Sequence, residues 1–236
     1  NQTLLRYMAE GAVEYAKEQA QSTNKAIYII GRTAGEDKDN ANWVGSYLLT
    51  DEEKENLKNI TEAFENVCIV LNVSNIIDLK WINDEQFKGH IKSVVIVWQG
   101  GMEGGNSVAD VLSGKVTPSG KLPDTIAYNM EDYPANDNFG NELTNLYKED
   151  IYVGYRYYET RYEDVVMGTE NVGDYNYNDT VAYPFGYGLS YTEFEYSDFK
   201  TEYNKETDSF EVSVKVTNVG DVAGKEVVQI YFQSPY

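Results

Sequence analysis

Val67-Cys68-Ile69-Val70-Leu71-Asn72-Val73 is apolar at every position but Asn72. A run this short, with no polar alternation, reads as a strand buried on both faces. Two more such runs flank it, at residues 26–30, ending at Gly31, and at residues 93–98. The intervals between them hold helices. Residues 3–20 repeat Leu5, Met8, Ala12, Val13 and Ala16 at spacings of three and four. Thr50 followed by Glu53 matches a capping box, and the helix it opens carries Leu57, Ile60 and Phe64 on one stripe before ending near Asn66. A third helix over residues 106–112 presents Val108, Val111 and Leu112. Buried strands separated by helices predict an α/β fold, a mostly parallel sheet flanked by helices in an α/β sandwich.

The character changes twice further on. Residues 118–191 are irregular and rich in Tyr, Gly, Asn and Asp. After Thr192 the pattern is all-β: residues 194–203, then 211–217 with Val212, Val214 and Val216 alternating, then 226–232, with Asn218-Val219-Gly220-Asp221 as a connection. Three strands are fewer than a closed sandwich requires, so this is a truncated β-sandwich segment.

At 236 residues the chain allows one or two domains. Its 39 Asp and Glu against 19 Lys and Arg give a formal charge of −20. That charge repels phosphate backbones and anionic headgroups, which speaks against nucleic-acid and membrane partners. No apolar run is long enough to span a bilayer. A single cysteine, Cys68, and a single histidine, His90, leave no thiolate-rich or multi-histidine metal site. Neither a metal nor a cofactor is expected. Cys68, inside an apolar strand, reads as inert core, and His90 as a group capping or solvating a helix end. One cysteine fits either the cytosol or export, so the compartment stays unknown. Unfinished sheet edges invite pairing with another copy, a possible homo-oligomer.

In a parallel sheet, ligands gather at the carboxyl ends of the strands. The first strand leads into a polar loop that begins Gly31-Arg32-Thr33-Ala34-Gly35-Glu36-Asp37-Lys38-Asp39-Asn40. The third leads into Gln99-Gly100-Gly101-Met102-Glu103-Gly104-Gly105-Asn106. Right-handed crossovers place both on one rim. Glu36 can then project into a cleft, with Gly35 allowing close approach, although a loop glutamate is more often merely solvated. The glycine loop lacks the Lys-Ser/Thr of a phosphate-binding loop and the spacing of a dinucleotide fingerprint, and a tight strand-to-helix turn is the preferred reading. Asp37, Asp39 and Asn40 lack the sixth-position Gly and twelfth-position Glu of a calcium loop. The 21 tyrosines include candidate sugar-stacking platforms, but tyrosine also suits half-exposed strands.

Four ordered blocks resemble glycoside hydrolase family 3. The loop from Ile30 to Asn40 is similar to the family's Gly-Glu-x-x-Asp-Arg stretch. Trp98-Gln99-Gly100-Gly101-Met102-Glu103-Gly104-Gly105-Asn106, with Pro118-Ser119-Gly120-Lys121-Leu122-Pro123, is the most specific block. Tyr152-Val153-Gly154-Tyr155-Arg156-Tyr157-Tyr158 and Tyr183-Pro184-Phe185-Gly186-Tyr187-Gly188-Leu189-Ser190-Tyr191 follow in order, and Val214 to Tyr231 is similar to the start of the terminal β domain. The resemblance implies residues 1–190 as the family's α/β-sandwich domain lacking its first strand. Residues 191–236 would be the first strands of a fibronectin-III-like domain. The closing residues 231–236 are similar to members with permuted domain order, and the chain is expected to be part of a larger enzyme.

The resemblance further implies retaining hydrolysis of a β-glucoside or oligosaccharide, with the nucleophilic Asp in a TIM-like barrel outside this chain. Glu36 takes the general acid/base role. Arg32, Asp39 and Glu103 serve substrate binding or loop support, and the motif's closing Arg is Asn40 here, so that Lys38 or Arg32 would replace it. A retaining enzyme needs two carboxyl groups about 5–5.5 Å apart, and the proton donor must hold its proton near neutral pH. Asp37, Asp39 and the net charge push that way. This chain alone, without the nucleophile, is expected to be inactive. The competing expectation is a non-catalytic scaffold or carbohydrate-binding module of the same fold.

Overall fold

In a computed structural model of the chain, residues 11–32, 39–87, 89–140, 143–144, 146–169 and 172–232 are described. They fall into two compact units. The first runs to Gly105 and resumes over Thr125–Tyr183, and the second comprises Asn106–Asp124 and the chain from Pro184 onward.

The first unit is built on three parallel strands, β1 (Lys25–Gly31), β2 (Asn66–Asn72) and β3 (Ile91–Ile96), in the order β1-β2-β3. Tyr28 pairs with Ile69 and Ile69 with Val94; Ile30 pairs with Leu71 and Leu71 with Ile96. All three strands therefore end on one rim, as the α/β reading expected. Two helices precede and follow β1: α1 (Ala12–Gln19) and α2 (Asp51–Ala63). The capping box forms as the sequence predicts, with Glu53 N–H donating to Thr50 Oγ1 at 3.0 Å and Thr50 N–H to Glu53 Oε2 at 2.8 Å. Leu57, Ile60 and Phe64 are buried on α2, which packs against β1 and β2. Facing them are Tyr28 and Ile30 of β1 and Val67, Ile69 and Leu71 of β2, all buried. Each such side chain contributes about 1.5–3 kcal/mol by leaving water. Lys17 of α1 donates to Asn59 of α2 at 2.7 Å. Nδ1 of His90 donates to the carbonyl of Phe64, the C-cap residue of α2, at 3.1 Å.

The expectation that both faces of the sheet are covered does not hold throughout. Strand alternation turns Ile27, Ile29 and Cys68 to the face opposite α2. There Ile27 and Ile29 are 56% and 63% exposed. Cys68 is half-buried rather than core, for the same reason.

The tyrosine-rich stretch is more regular than its sequence suggests. After α3 (Gly104–Leu112) come a two-residue strand β4 (Ile126–Ala127), the helix α4 (Tyr155–Met167), the single turn α5 (Tyr177–Thr180) and β5 (Val181–Tyr183). Strands β4 and β5 pair antiparallel, and Tyr158 of α4 is buried against Ala127 and Val181. Helix α4 ends at Gly168, whose φ of 66° is the left-handed C-cap glycines favour.

In the second unit residues 118–123 meet residues 184–191. Leu122 N–H donates to Tyr187 O at 2.8 Å and Gly186 N–H to Leu122 O at 2.9 Å. A Cβ on Gly188 would lie 2.5 Å from Gly120 O, so only glycine fits that crossing. Lys121 pairs with Glu226 at 3.4 Å. The hairpin β6 (Phe194–Asn204) and β7 (Ser209–Asn218) is antiparallel. The third expected strand, residues 226–232, makes no ladder among the described residues: a strand needs a hydrogen-bonded neighbour, and Val228, Ile230 and Phe232 lie exposed.

Candidate functional site

The rim where β1 and β3 end carries both loops singled out in the sequence. With neighbouring strands about 4.8 Å apart, two steps across the sheet separate them by about 10 Å. Glu36, the expected acid/base, lies outside the described residues, as do Asp37 and Lys38. Its flanks do not.

On the amino side, every N–H of the Arg32 guanidinium has an acceptor. Nε donates to Ser46 O at 3.0 Å, Nη1 to Gly31 O at 2.9 Å and to Glu53 Oε1 at 2.5 Å, and Nη2 to Glu53 Oε2 at 2.7 Å and to Leu48 O at 3.4 Å. A guanidinium so committed fastens the loop to the first turn of α2 and has no N–H left for a ligand.

On the carboxyl side, Asn40 Nδ2 donates to Ile76 O at 2.8 Å, and Ala41 N–H donates to Ser46 Oγ at 3.1 Å. Ser46 Oγ donates in turn to Asn40 Oδ1 at 3.5 Å. Both flanks of residues 33–38 therefore converge on Ser46, through its carbonyl from Arg32 and through its hydroxyl from Asn40 and Ala41. Asp39 is exposed beside this clasp. Neither Ser46 nor the pairing of Arg32 with Glu53 was foreseen, because partners 14 and 21 residues apart leave no local signal.

The loop after β3 is tight. Trp98 takes a φ of 54°, rare for a residue with a Cβ, and a Cβ on Gly100 would lie 2.8 Å from Gly104 Cα. Met102 is fully exposed and Glu103 is exposed beside it. Glycine thus serves a close turn into α3, as the sequence reading preferred. Among the described residues no group of three or more His, Cys, Asp or Glu is placed to hold a metal ion, and no helix is long and apolar enough to cross a membrane.

Comparison with known proteins gives this rim a setting. The family model for the glycosyl hydrolase family 3 C-terminal domain matches residues 4–155. A β-glucosidase from Ruminococcus albus is 48% identical over 219 residues, covering 93% of this chain and 21% of the relative. A solved β-glucosidase from Paenibacillus barengoltzii is 52% identical with a TM-score of 0.76, over 89% of this chain and 21% of that one. β-Glucosidase 3B from Thermotoga neapolitana, solved with glycerol, is 32% identical with a TM-score of 0.74, over 93% of this chain and 28% of that one. The chain thus spans between about a fifth and just over a quarter of the length of these relatives.

Proposed function

The chain belongs to glycosyl hydrolase family 3, and from that premise we propose that it is the part of a retaining β-glucosidase-type enzyme that supplies the general acid/base, Glu36. In this reading residues 1–190 form the α/β-sandwich domain and residues 191–236 the opening strands of a fibronectin-III-like domain. The nucleophilic carboxylate comes from a barrel elsewhere in the enzyme and attacks the anomeric carbon while Glu36 protonates the departing oxygen. Glu36 then takes a proton from the water that releases the sugar. Arg32 acts as loop support, with Asp39 and Glu103 at the edge of the leaving-group side.

One observation carries the reading. The ends of the segment bearing Glu36 are both tied to Ser46 at the carboxyl rim of the parallel sheet, where α/β folds hold their ligands. A proton donor needs a fixed approach to its oxygen, and anchored flanks at the rim support that role.

The test is Glu36→Gln in the full-length protein that carries this chain. Hydrolysis of alkyl β-glucosides, whose leaving groups need a proton, should fall by about 10²–10⁴-fold. Activated aryl β-glucosides, which need little protonation, should lose far less in the glycosylation step. Equal losses on both would overturn the assignment and favour a scaffold. The 236-residue chain alone should turn over neither.

A further inference from the structure

The stretch that reads as irregular in sequence lines a half-open pocket of about 370 Å³ in the first unit. Four tyrosines line it: Tyr133, Tyr152, Tyr157 and Tyr175. Two are fixed by their hydroxyls, Tyr133 Oη accepting from Ala127 N–H at 3.1 Å and Tyr175 Oη donating to Tyr158 O at 3.2 Å. The Arg161 guanidinium carbon lies 5.1 Å from the Tyr175 ring centre and 6.0 Å from that of Tyr157, with Nη2 donating to Val172 O at 2.7 Å. Tyr133 and Tyr175 are thus held by their hydroxyls, and Tyr157 and Tyr175 lie against the Arg161 guanidinium.

The rest of the lining accepts hydrogen bonds. Glu131 takes one from Asn42 Nδ2 at 2.8 Å, and Asp132 takes two from Asn129, at 3.1 and 2.8 Å. Each carboxylate offers about four acceptor sites, so capacity remains. Glu149 adds a further carboxylate, while Asp137 is neutralised by Lys148 at 2.9 Å. This lining repels anions. The carboxylates attract cations, but against the rings of Tyr157 and Tyr175 a cation would meet the like charge of Arg161 and quadrupoles already engaged by it. What suits it is a neutral ligand with an apolar C–H face for the rings and several hydroxyl donors for the carboxylates.

We propose that this pocket binds a neutral sugar unit, such as a glucosyl residue of an oligosaccharide, at a site whose described lining runs from Glu131 to Thr180. The choice of a sugar among polyhydroxylated ligands rests on the glycosidase reading; the site itself does not.

The test titrates the 236-residue chain with cellobiose, followed by saturation-transfer NMR. Saturable binding is expected in the millimolar range. Tyr152→Ala removes a ring from the lining, and Glu149→Gln replaces an acceptor-only carboxylate with an amide that keeps one acceptor oxygen. Each should weaken binding by about threefold to tenfold. The Glu149→Gln variant keeps the test alive if Tyr152→Ala does not fold. Glu36→Gln should leave the affinity unchanged, so failure of the catalytic assignment and failure of this site are told apart. The proposal is overturned by absence of saturable binding, by affinity indifferent to Glu149→Gln, or by tetramethylammonium binding where cellobiose does not.

Discussion

Arg32 and Glu53 share two charge-assisted hydrogen bonds, at 2.5 and 2.7 Å, with side chains only 6% and 13% exposed. The same carboxylate oxygen that meets Arg32 Nη2 also accepts the Thr50 N–H of the capping box. One glutamate therefore joins the end of β1 to the start of α2. Removing one partner leaves a buried charge unpaired, which costs about 3–5 kcal/mol. Glu53→Ala and Arg32→Ala should each lower the unfolding free energy obtained from urea titration by an amount in that range. The double variant should lose clearly less than the sum, because the second deletion removes a charge already stranded. Strict additivity in that cycle would show the two are not coupled.

The parallel sheet and the capped helix were legible because their signals are local: apolar runs without alternation, and Thr50 three residues before Glu53. Helix α4 was hidden by its composition. Tyr155, Tyr157, Tyr158 and Tyr162 are weak helix formers, and Gly154 at the N-cap offers no side-chain oxygen. Its burial around Tyr158 comes from β4 and β5, which the sequence does not place beside it. At the rim, the loops could be read from strand order, but the clasp on Ser46 joins residues far apart in the chain. The half-covered sheet was missed because an apolar run says which residues avoid water, not whether a neighbour arrives on each side.

That asymmetry gives a paired stability measurement. Ile30 is 1% exposed on the α2 side, while Ile29, next in sequence, is 63% exposed on the other. Ile30→Ala should cost about 2–5 kcal/mol through lost burial and a residual cavity. Ile29→Ala should stay within about 1 kcal/mol. Comparable losses in thermal or urea unfolding would mean the second face is covered in solution.

Alkaline pH should unfold the chain through its buried phenols. Burial pushes Tyr28 up to about 12, outweighing its hydrogen bond with Asn56. Tyr175 likewise rises to about 12, through burial first and then the nearby Tyr157. Burial also raises Tyr47 and Tyr177, Tyr177 with help from its hydrogen bond to Glu159. In the unfolded chain these groups titrate near 10. Below that pH both states hold the protons and stability is unaffected. Above it the unfolded chain releases protons the folded chain keeps, so stability falls, by up to about 1.4 kcal/mol per pH unit for the buried Tyr28 and Tyr47 and by less for the half-exposed Tyr175 and Tyr177, where solvent screens the charge. Urea midpoints across this range should decline, and Tyr28→Phe should flatten the slope. A pH-independent midpoint between about 10 and 12 would contradict the burial of these hydroxyls.

The loop after β3 offers a test in which two glycines of one short segment give opposite signs. At Gly100 a new Cβ would sit 2.8 Å from Gly104 Cα, and backbone cannot swing away as a flexible side chain can. Gly100→Ala should therefore push the first turn of α3 off the strand end and cost about 1–3 kcal/mol. Gly105 lies inside α3, where a Cβ would project into open space and there is no left-handed φ to preserve. Gly105→Ala gains helix propensity and should raise stability by up to about 1 kcal/mol. Thermal unfolding of the two variants side by side decides the matter. If Gly100→Ala is neutral, the close approach to Gly104 is not kept in solution, and the support it gives to Met102 and Glu103 at the rim falls with it.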